Sequence, residues 1–228
     1  MSKPLVLILW SGETESGATG SLAELIRQGA AGQKAVEVVS YKVPPTGPGP
    51  SSMLTDANRA SALIFGSANY NGNPRPDLMQ WVDTYIGAGK NNPVWLSSVV
   101  ATFCTSAGMK VTGQQPVLNA LARLGMNFGA SFVGGADWHG TQGVCGQWDD
   151  DAGSWADPQT PARAQALGRR VADIASFYSK EYDRVRPKSV YGACVSCGSG
   201  GGLWRAGALV AMVVALLLFL WFQSTRPF

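Results

Sequence analysis

Short runs rich in apolar residues recur along the first two thirds of this chain, and segments with apolar residues at helical spacing alternate with them. Residues 4–10 read PLVLILW, residues 60–66 read ASALIFG, and similar stretches cover Ala35–Tyr41, Trp95–Phe103 and Asn127–Val133. A run that is apolar at every position, not at every second one, fits a strand covered on both faces. Between the runs lie Ser21–Gly29, Pro76–Ile86, Gln115–Leu124 and Thr160–Tyr182. In these, sets such as Leu78, Trp81, Val82 and Tyr85, or Ala164, Leu167, Val171, Ile174 and Tyr178, fall on one helical face. A Pro/Gly-rich loop, Val43–Ser52, joins the second and third strands, and a long Gly/Asp/Trp-rich loop fills Gly134–Asp157. The alternation predicts an α/β fold, a doubly wound five-stranded parallel sheet with helices on both faces. Right-handed crossovers bring the loops after strands one, three and four to one sheet edge, where such folds bind ligands.

Ala206–Phe222 is a different kind of segment. It reads AGALVAMVVALLLFLWF, seventeen residues without a charge, and as a helix would span roughly 26 Å. With no polar face it is unlike a core helix, and its backbone is satisfied in lipid only if helical. Trp204 and Trp221 sit at its ends, where amphipathic rings favour the interface. The expected organisation is a globular domain over 1–186, a Gly/Cys-containing linker over 187–204 and a C-terminal transmembrane tail anchor over 205–228. The short run before Ser11 does not resemble a signal-peptide core. Arg186, Lys188 and Arg205 precede the span and Arg226 alone follows it, so the domain is expected to face the cytosol or a mitochondrial or other organellar compartment. Gly207, Ala208, Ala211 and Ala215 form a small-residue face suited to packing against helices of other membrane-complex subunits or of a second copy.

A net charge of +3, with the basic residues scattered, argues against a nucleic-acid partner. Four cysteines do not make a disulfide scaffold. Cys194 and Cys197 form a CVSC segment, but a zinc site needs two further ligands and the single histidine, His139, is remote in sequence, so no metal site is expected.

The three loops at the predicted ligand edge carry the chemistry. The first holds Ser11, Thr14, Ser16, Thr19 and Ser21 among Gly12, Gly17 and Gly20 and opens a helix, as an anion site requires. The second reads SANYNGNPRPDLMQWVDTY, in which Gly72 allows close approach to a flat ring, Asn71 offers donor and acceptor, and Tyr70 an aromatic face. Tyr70, Asn71, Gly72, Pro74, Leu78 and Asp83 resemble the flavin-ring loop of the NADPH-dependent FMN reductase family, with Asn69 where that family usually has glutamate. The third loop, with Thr105, Ser106, Gly108, Gly113 and Gln114, is similar to that of the tryptophan-repressor-binding-protein type of NAD(P)H:quinone oxidoreductase. Lys110 lies in the same loop.

The resemblance covers roughly residues 4–182. It implies a flavodoxin-like fold and an FMN site made by Ser11, Thr14, Ser16, Gly17, Thr19, Asn69, Tyr70, Asn71, Gly72, Thr105, Ser106 and Gly108. It further implies NAD(P)H as substrate and His139 as a catalytic residue over the flavin, with Trp138 and Trp155 as an aromatic lid. Asp149–Asp151 reads as a solvated acidic turn.

The first loop departs from the pattern, because Glu13 and Glu15 lie inside it and the place of Glu15 is commonly arginine. A carboxylate facing a phosphate is repulsive. Two functions follow: a membrane-anchored FMN-dependent NAD(P)H oxidoreductase reducing a quinone or flavin-type acceptor, or a non-catalytic flavodoxin-like subunit of a membrane assembly such as a respiratory-chain complex, with a degenerate FMN site. The orientation of the two glutamates separates them.

Overall fold

A computed structural model of the chain describes residues 3–86, 98–107, 113–135 and 142–185. All of them except Val185 belong to a compact unit that runs Met1–Arg184. The segment expected to form a tail anchor, the CVSC segment, His139, Trp138, Gly108 and Lys110 lie outside the described residues. Among the described residues, no helix is long and apolar enough to cross a membrane.

The strands are β1 (Leu5–Ser11), β2 (Glu37–Lys42), β3 (Ala60–Tyr70), β4 (Asn73–Pro74), β5 (Val99–Ala107), β6 (Ser131–Phe132), β7 (Val144–Asp149) and β8 (Ser154–Trp155). The helices are α1 (Ala18–Ala31), α2 (Ser51–Arg59), α3 (Pro76–Trp81, continued by a π-helical turn, Val82–Ile86), α4 (Gln114–Met126) and α5 (Thr160–Val185). The sheet order is β2-β1-β3-β5-β7-β8. Its first five strands are mutually parallel and β8 returns antiparallel against β7.

Two expectations are corrected. The stretch between β2 and β3 contains a helix, α2, not only a loop. The fifth parallel strand is β7, within the segment read as a long loop, and not Asn127–Val133. Only Ser131 and Phe132 of that stretch pair with the start of β5, and β7 pairs with its end. The fifth position is thus one interrupted strand, with an excursion between two pieces that both follow β5.

Alternation along the strands divides the core into two layers. Leu5, Leu7, Leu9, Leu63, Phe65, Val100 and Cys104 pack beneath α2, α3 and α4. Val6, Ile8, Trp10, Ala62, Ile64, Ala101 and Phe103 pack against α1 and α5. All seven residues of β1 are buried, as its unbroken apolar composition predicts. Space is matched closely: a Cβ on Gly66 would fall 1.9 Å from the ring of Phe103, its partner on the next strand. Helices α1 and α5 also meet through glycines. A Cβ on Gly29 would lie 2.0 Å from the carbonyl oxygen of Gln165, and one on Gly168 2.0 Å from that of Ile26. Both layers leave the carboxyl ends of β1, β3, β5 and β7 at one edge, where three of the connecting loops converge.

Candidate functional site

A cleft of about 470 Å³ opens at that edge, lined by residues 13–14 and 16–19, by 68–70, by 105–107, and by Trp148 and Asp150. Its size is within the range of small-molecule and cofactor sites. A second depression, about 450 Å³, lies at the amino ends of β5 and β6 against α5 and holds none of the loop residues singled out above.

The floor of the cleft is the start of α1. Gly17 is the N-cap, extended at φ −74° and ψ 176°, and the first helical bond runs from the Ser21 N–H to the Gly17 carbonyl at 2.9 Å. The amides of Ala18, Thr19 and Gly20 precede that bond and form the positive end of the helix. The loop wraps tightly round this turn. A Cβ on Gly20 would sit 1.9 Å from the Glu15 carbonyl oxygen, and one on Gly12 2.9 Å from Thr19 Cβ. Thr19 Oγ1 and Thr105 Oγ1 lie 2.6 Å apart in a buried hydrogen bond, which pins the helix start to the end of β5.

The two glutamates behave differently. Both are exposed, but Glu15 is not among the residues lining the cleft. Glu13 does line it, and its carboxylate accepts the Tyr70 hydroxyl proton at 2.8 Å. That carboxylate, with some burial, holds the Tyr70 phenol above its ordinary pKa. Arg75 donates to Tyr70 Oη at 3.0 Å, and its guanidinium carbon stands 5.2 Å from the Tyr70 ring centroid. Arg75 also pairs with Asp77 at 3.2 Å, and Asp77 accepts from the buried Ser11 hydroxyl at 2.6 Å. Glu13, Tyr70, Arg75, Asp77 and Ser11 therefore form one chain joining the end of β1 to the loop after β3. Ser11 is placed in this chain and not on the cleft wall.

Asn71 and Gly72 occupy the tip of a two-residue hairpin. Asn69 pairs with Pro74 and Tyr70 with Asn73, and the tip residues have φ of 52° and 84°. Both values belong to a type I′ turn, for which Asn-Gly is the favoured pair. The Gly72 N–H donates to Asn69 Oδ1 at 2.8 Å. The tip rests on the start of α4, since a Cβ on Gly113 would lie 2.7 Å from Gly72 Cα. The turn presents Asn69 and Tyr70 to the cleft, while Asn71 and Gly72 are not among its lining residues. At the end of β5, Thr105 and Ser106 line the cleft, and Gln114 Nε2 donates to Ser106 Oγ at 2.6 Å.

Sequence reasoning missed Trp148 and Asp150. Trp148, on β7, lines the cleft and meets Trp155 edge to face, with centroids 5.0 Å apart and an interplanar angle of 87°. Trp155 thus braces a second aromatic residue in place of covering the site itself. In the acidic turn, Asp149 Oδ1 accepts the Asp151 and Ala152 N–H groups at 3.0 Å each, and Asp150 faces the cleft.

No protein-family model matches the chain, and no curated protein matches its sequence. Solved structures do match its shape. One is a flavodoxin, WrbA-like protein from Agrobacterium tumefaciens, with a TM-score of 0.63 at 20% identity, covering 77% of this chain and 99% of that one. The fold is flavodoxin-like. Rubredoxin oxygen:oxidoreductase from Desulfovibrio gigas matches with a TM-score of 0.56 at 14% identity, over 78% of this chain and 38% of that one. An oxidoreductase from Corynebacterium diphtheriae matches at 0.53 and 12% identity, over 79% of this chain and 100% of that one. Identities of this size carry the fold, and function rests on the residues at the cleft.

Proposed function

We propose that the cleft binds FMN and that the protein is a membrane-anchored, FMN-dependent NAD(P)H oxidoreductase acting on a quinone or flavin-type acceptor. The observation that supports this most is the meeting, in one cleft, of a glycine-wrapped helix N-terminus, five serine and threonine hydroxyls and two aromatic side chains. Thr14, Ser16 and Thr19, with the amides of Ala18–Gly20, would hold the phosphate through uncharged donors and the helix dipole. Tyr70, Trp148, Asn69, Thr105 and Ser106 would meet the ring system. When bound, FMN supplies hydride and electron transfer between NAD(P)H and the acceptor. The chain's own part is to bind and orient. The Glu13 carboxylate fixes the Tyr70 hydroxyl, whose oxygen also accepts from Arg75. A single span within 205–228, with the domain on the cytosolic or organellar face, would attach the protein to the membrane in which a lipid-soluble acceptor resides.

A second reading, a non-catalytic subunit of a membrane complex, draws on one feature. Glu13 and Asp150 line the cleft, and no lysine or arginine is among its described lining residues. Titration of FMN into the full chain in detergent, followed by quenching of flavin fluorescence, separates the two. Saturable quenching is the expected result. None at about millimolar FMN, an interaction weaker than ~4 kcal/mol, would end the enzyme reading and leave the scaffold. Glu13→Gln should tighten FMN binding by about tenfold, because a carboxylate on the cleft wall repels the dianion by about 1–2 kcal/mol at surface-like screening. Glu15→Gln should leave the affinity nearly unchanged, since an exposed, outward charge contributes little. Equal effects of the two changes would contradict the orientation described above.

A further inference from the structure

Cys104 and Cys145 are direct partners on the adjacent parallel strands β5 and β7, and their sulfurs approach to 3.1 Å. Both side chains project into the same layer, beneath α4. Neighbouring strands run ~4.8 Å apart, inside the Cα separation of roughly 4.4–6.8 Å that a disulfide spans. In the described structure both are free thiols. We propose that Cys104 and Cys145 are a reversible thiol-oxidation site, closing to a disulfide in reaction with a low-molecular-weight disulfide such as oxidised glutathione.

The two cysteines take different parts. Cys145 is partly exposed, whereas Cys104 is 0% exposed. The Cys145 thiolate attacks one sulfur of the oxidised tripeptide, forming a mixed disulfide and releasing one glutathione thiolate. The Cys104 thiolate then attacks Cys145 Sγ, forming the Cys104–Cys145 bond and expelling the second. Two cysteine protons leave and two glutathione molecules are formed, so the protein loses two electrons and the reagent gains them. The contact with Cys145 and the burial of Cys104 both raise the Cys104 thiol well above its ordinary pKa. That disfavours it as the first nucleophile and suits it to the second step, where the target is already adjacent. The site is joined to the cleft through Gln114. Cys104 Sγ donates toward the Gln114 carbonyl at 3.7 Å, and the Gln114 side chain donates to Ser106, which lines the cleft.

The test is peptide mapping of the full-length protein after incubation with excess oxidised glutathione, quenched with a thiol-blocking alkylator and digested without reduction. The peptides bearing Cys104, Cys145 and the Cys194–Cys197 segment are separated by basic residues, so Cys104, Cys145 and that segment are read separately. The expected result is one cross-linked Cys104–Cys145 species that dithiothreitol returns to two free thiols. In Cys145→Ser, Cys104 should remain alkylatable on denaturation and carry no glutathione. The proposal is overturned if both residues stay free, if glutathione accumulates on Cys145 without the cross-link, or if Cys145 pairs with Cys194 or Cys197. Because Cys145→Ser changes only a partly exposed side chain, it provides a control where Cys104→Ser fails to fold.

Discussion

Gly168→Ala should lower the melting temperature of the full chain by roughly 6–12 °C, and Gly29→Ala should do the same. In an ordinary helix interior the change from glycine to alanine stabilises by about 0.5–1 kcal/mol. Here the sign reverses. The added methyl would stand 2.0 Å from a backbone carbonyl oxygen of the opposing helix, Ile26 for Gly168 and Gln165 for Gly29. A rotamer change cannot relieve contact with backbone, so α1 and α5 must move apart. Leu22, Ile26, Leu167 and Val171, all buried in the same layer, would then lose contact. Overpacking of this kind costs about 3 kcal/mol, and a domain of this size loses roughly 2–4 °C per kcal/mol. Gly32 is the internal control. It follows α1 with helical backbone, φ −60°, and a Cβ there would come no nearer than 3.4 Å to any other group. Gly32→Ala should leave the melting temperature unchanged or slightly raised. If Gly168→Ala behaves like Gly32→Ala, the two helices do not cross at these glycines.

The same crossing shows what was legible in the chain. Helices α1 and α5 announced themselves through apolar spacing, yet nothing in that spacing said that Gly29 and Gly168 face each other. Close approach is a property of two segments together. β1, expected over 4–10, spans Leu5–Ser11 because its apolar run is unbroken, whereas β3 starts at the expected Ala60 but runs on through the largely polar stretch Ser67–Tyr70. β7 was not expected as a strand. It sits toward the sheet edge, between β5 and the two-residue β8, and its sequence VCGQWD is half polar. A rule built on continuous apolar runs selects Asn127–Val133 instead, where the chain is leaving α4 and only brushes the start of β5. Trp148 and Asp150 were lost with that strand. α2 was hidden by its approach through Val43–Pro50 and by a polar composition, SSMLTDANR, with Met53, Asp56 and Ala57 as its buried residues. At the site, Thr19 follows from the hydroxyl-rich first loop and Thr105 from the family resemblance of the third, and the two meet at the cleft. Asn71 and Gly72 were chosen for what glycine permits beside a ring, whereas the pair is equally the signature of a tight hairpin, and that is the place the fold gives it.

Ser16→Asp should weaken FMN binding by about a hundredfold or more while leaving the domain as stable as before. Ser16 is exposed, lines the cleft and immediately precedes the N-cap Gly17. A carboxylate beside a helix N-terminus is favourable by roughly 0.3–1 kcal/mol, and no acidic residue occupies the first turn of α1. The melting temperature should therefore hold or rise. A phosphate dianion in the same place meets the opposite situation: it loses a hydroxyl donor and gains a like charge at the dipole end that would otherwise attract it. A hundredfold loss corresponds to about 2.7 kcal/mol, the scale of one charge-assisted hydrogen bond with added repulsion. Riboflavin, which carries the ring but no phosphate, isolates the cause. It should bind the unaltered protein more weakly than FMN does, and Ser16→Asp should not weaken it further. Equal losses for both ligands would mean that the loop itself had been distorted. Unchanged FMN affinity in a stable Ser16→Asp protein would remove the phosphate from the start of α1, because at hydrogen-bond distance a carboxylate and a dianion still repel each other even at surface-like screening.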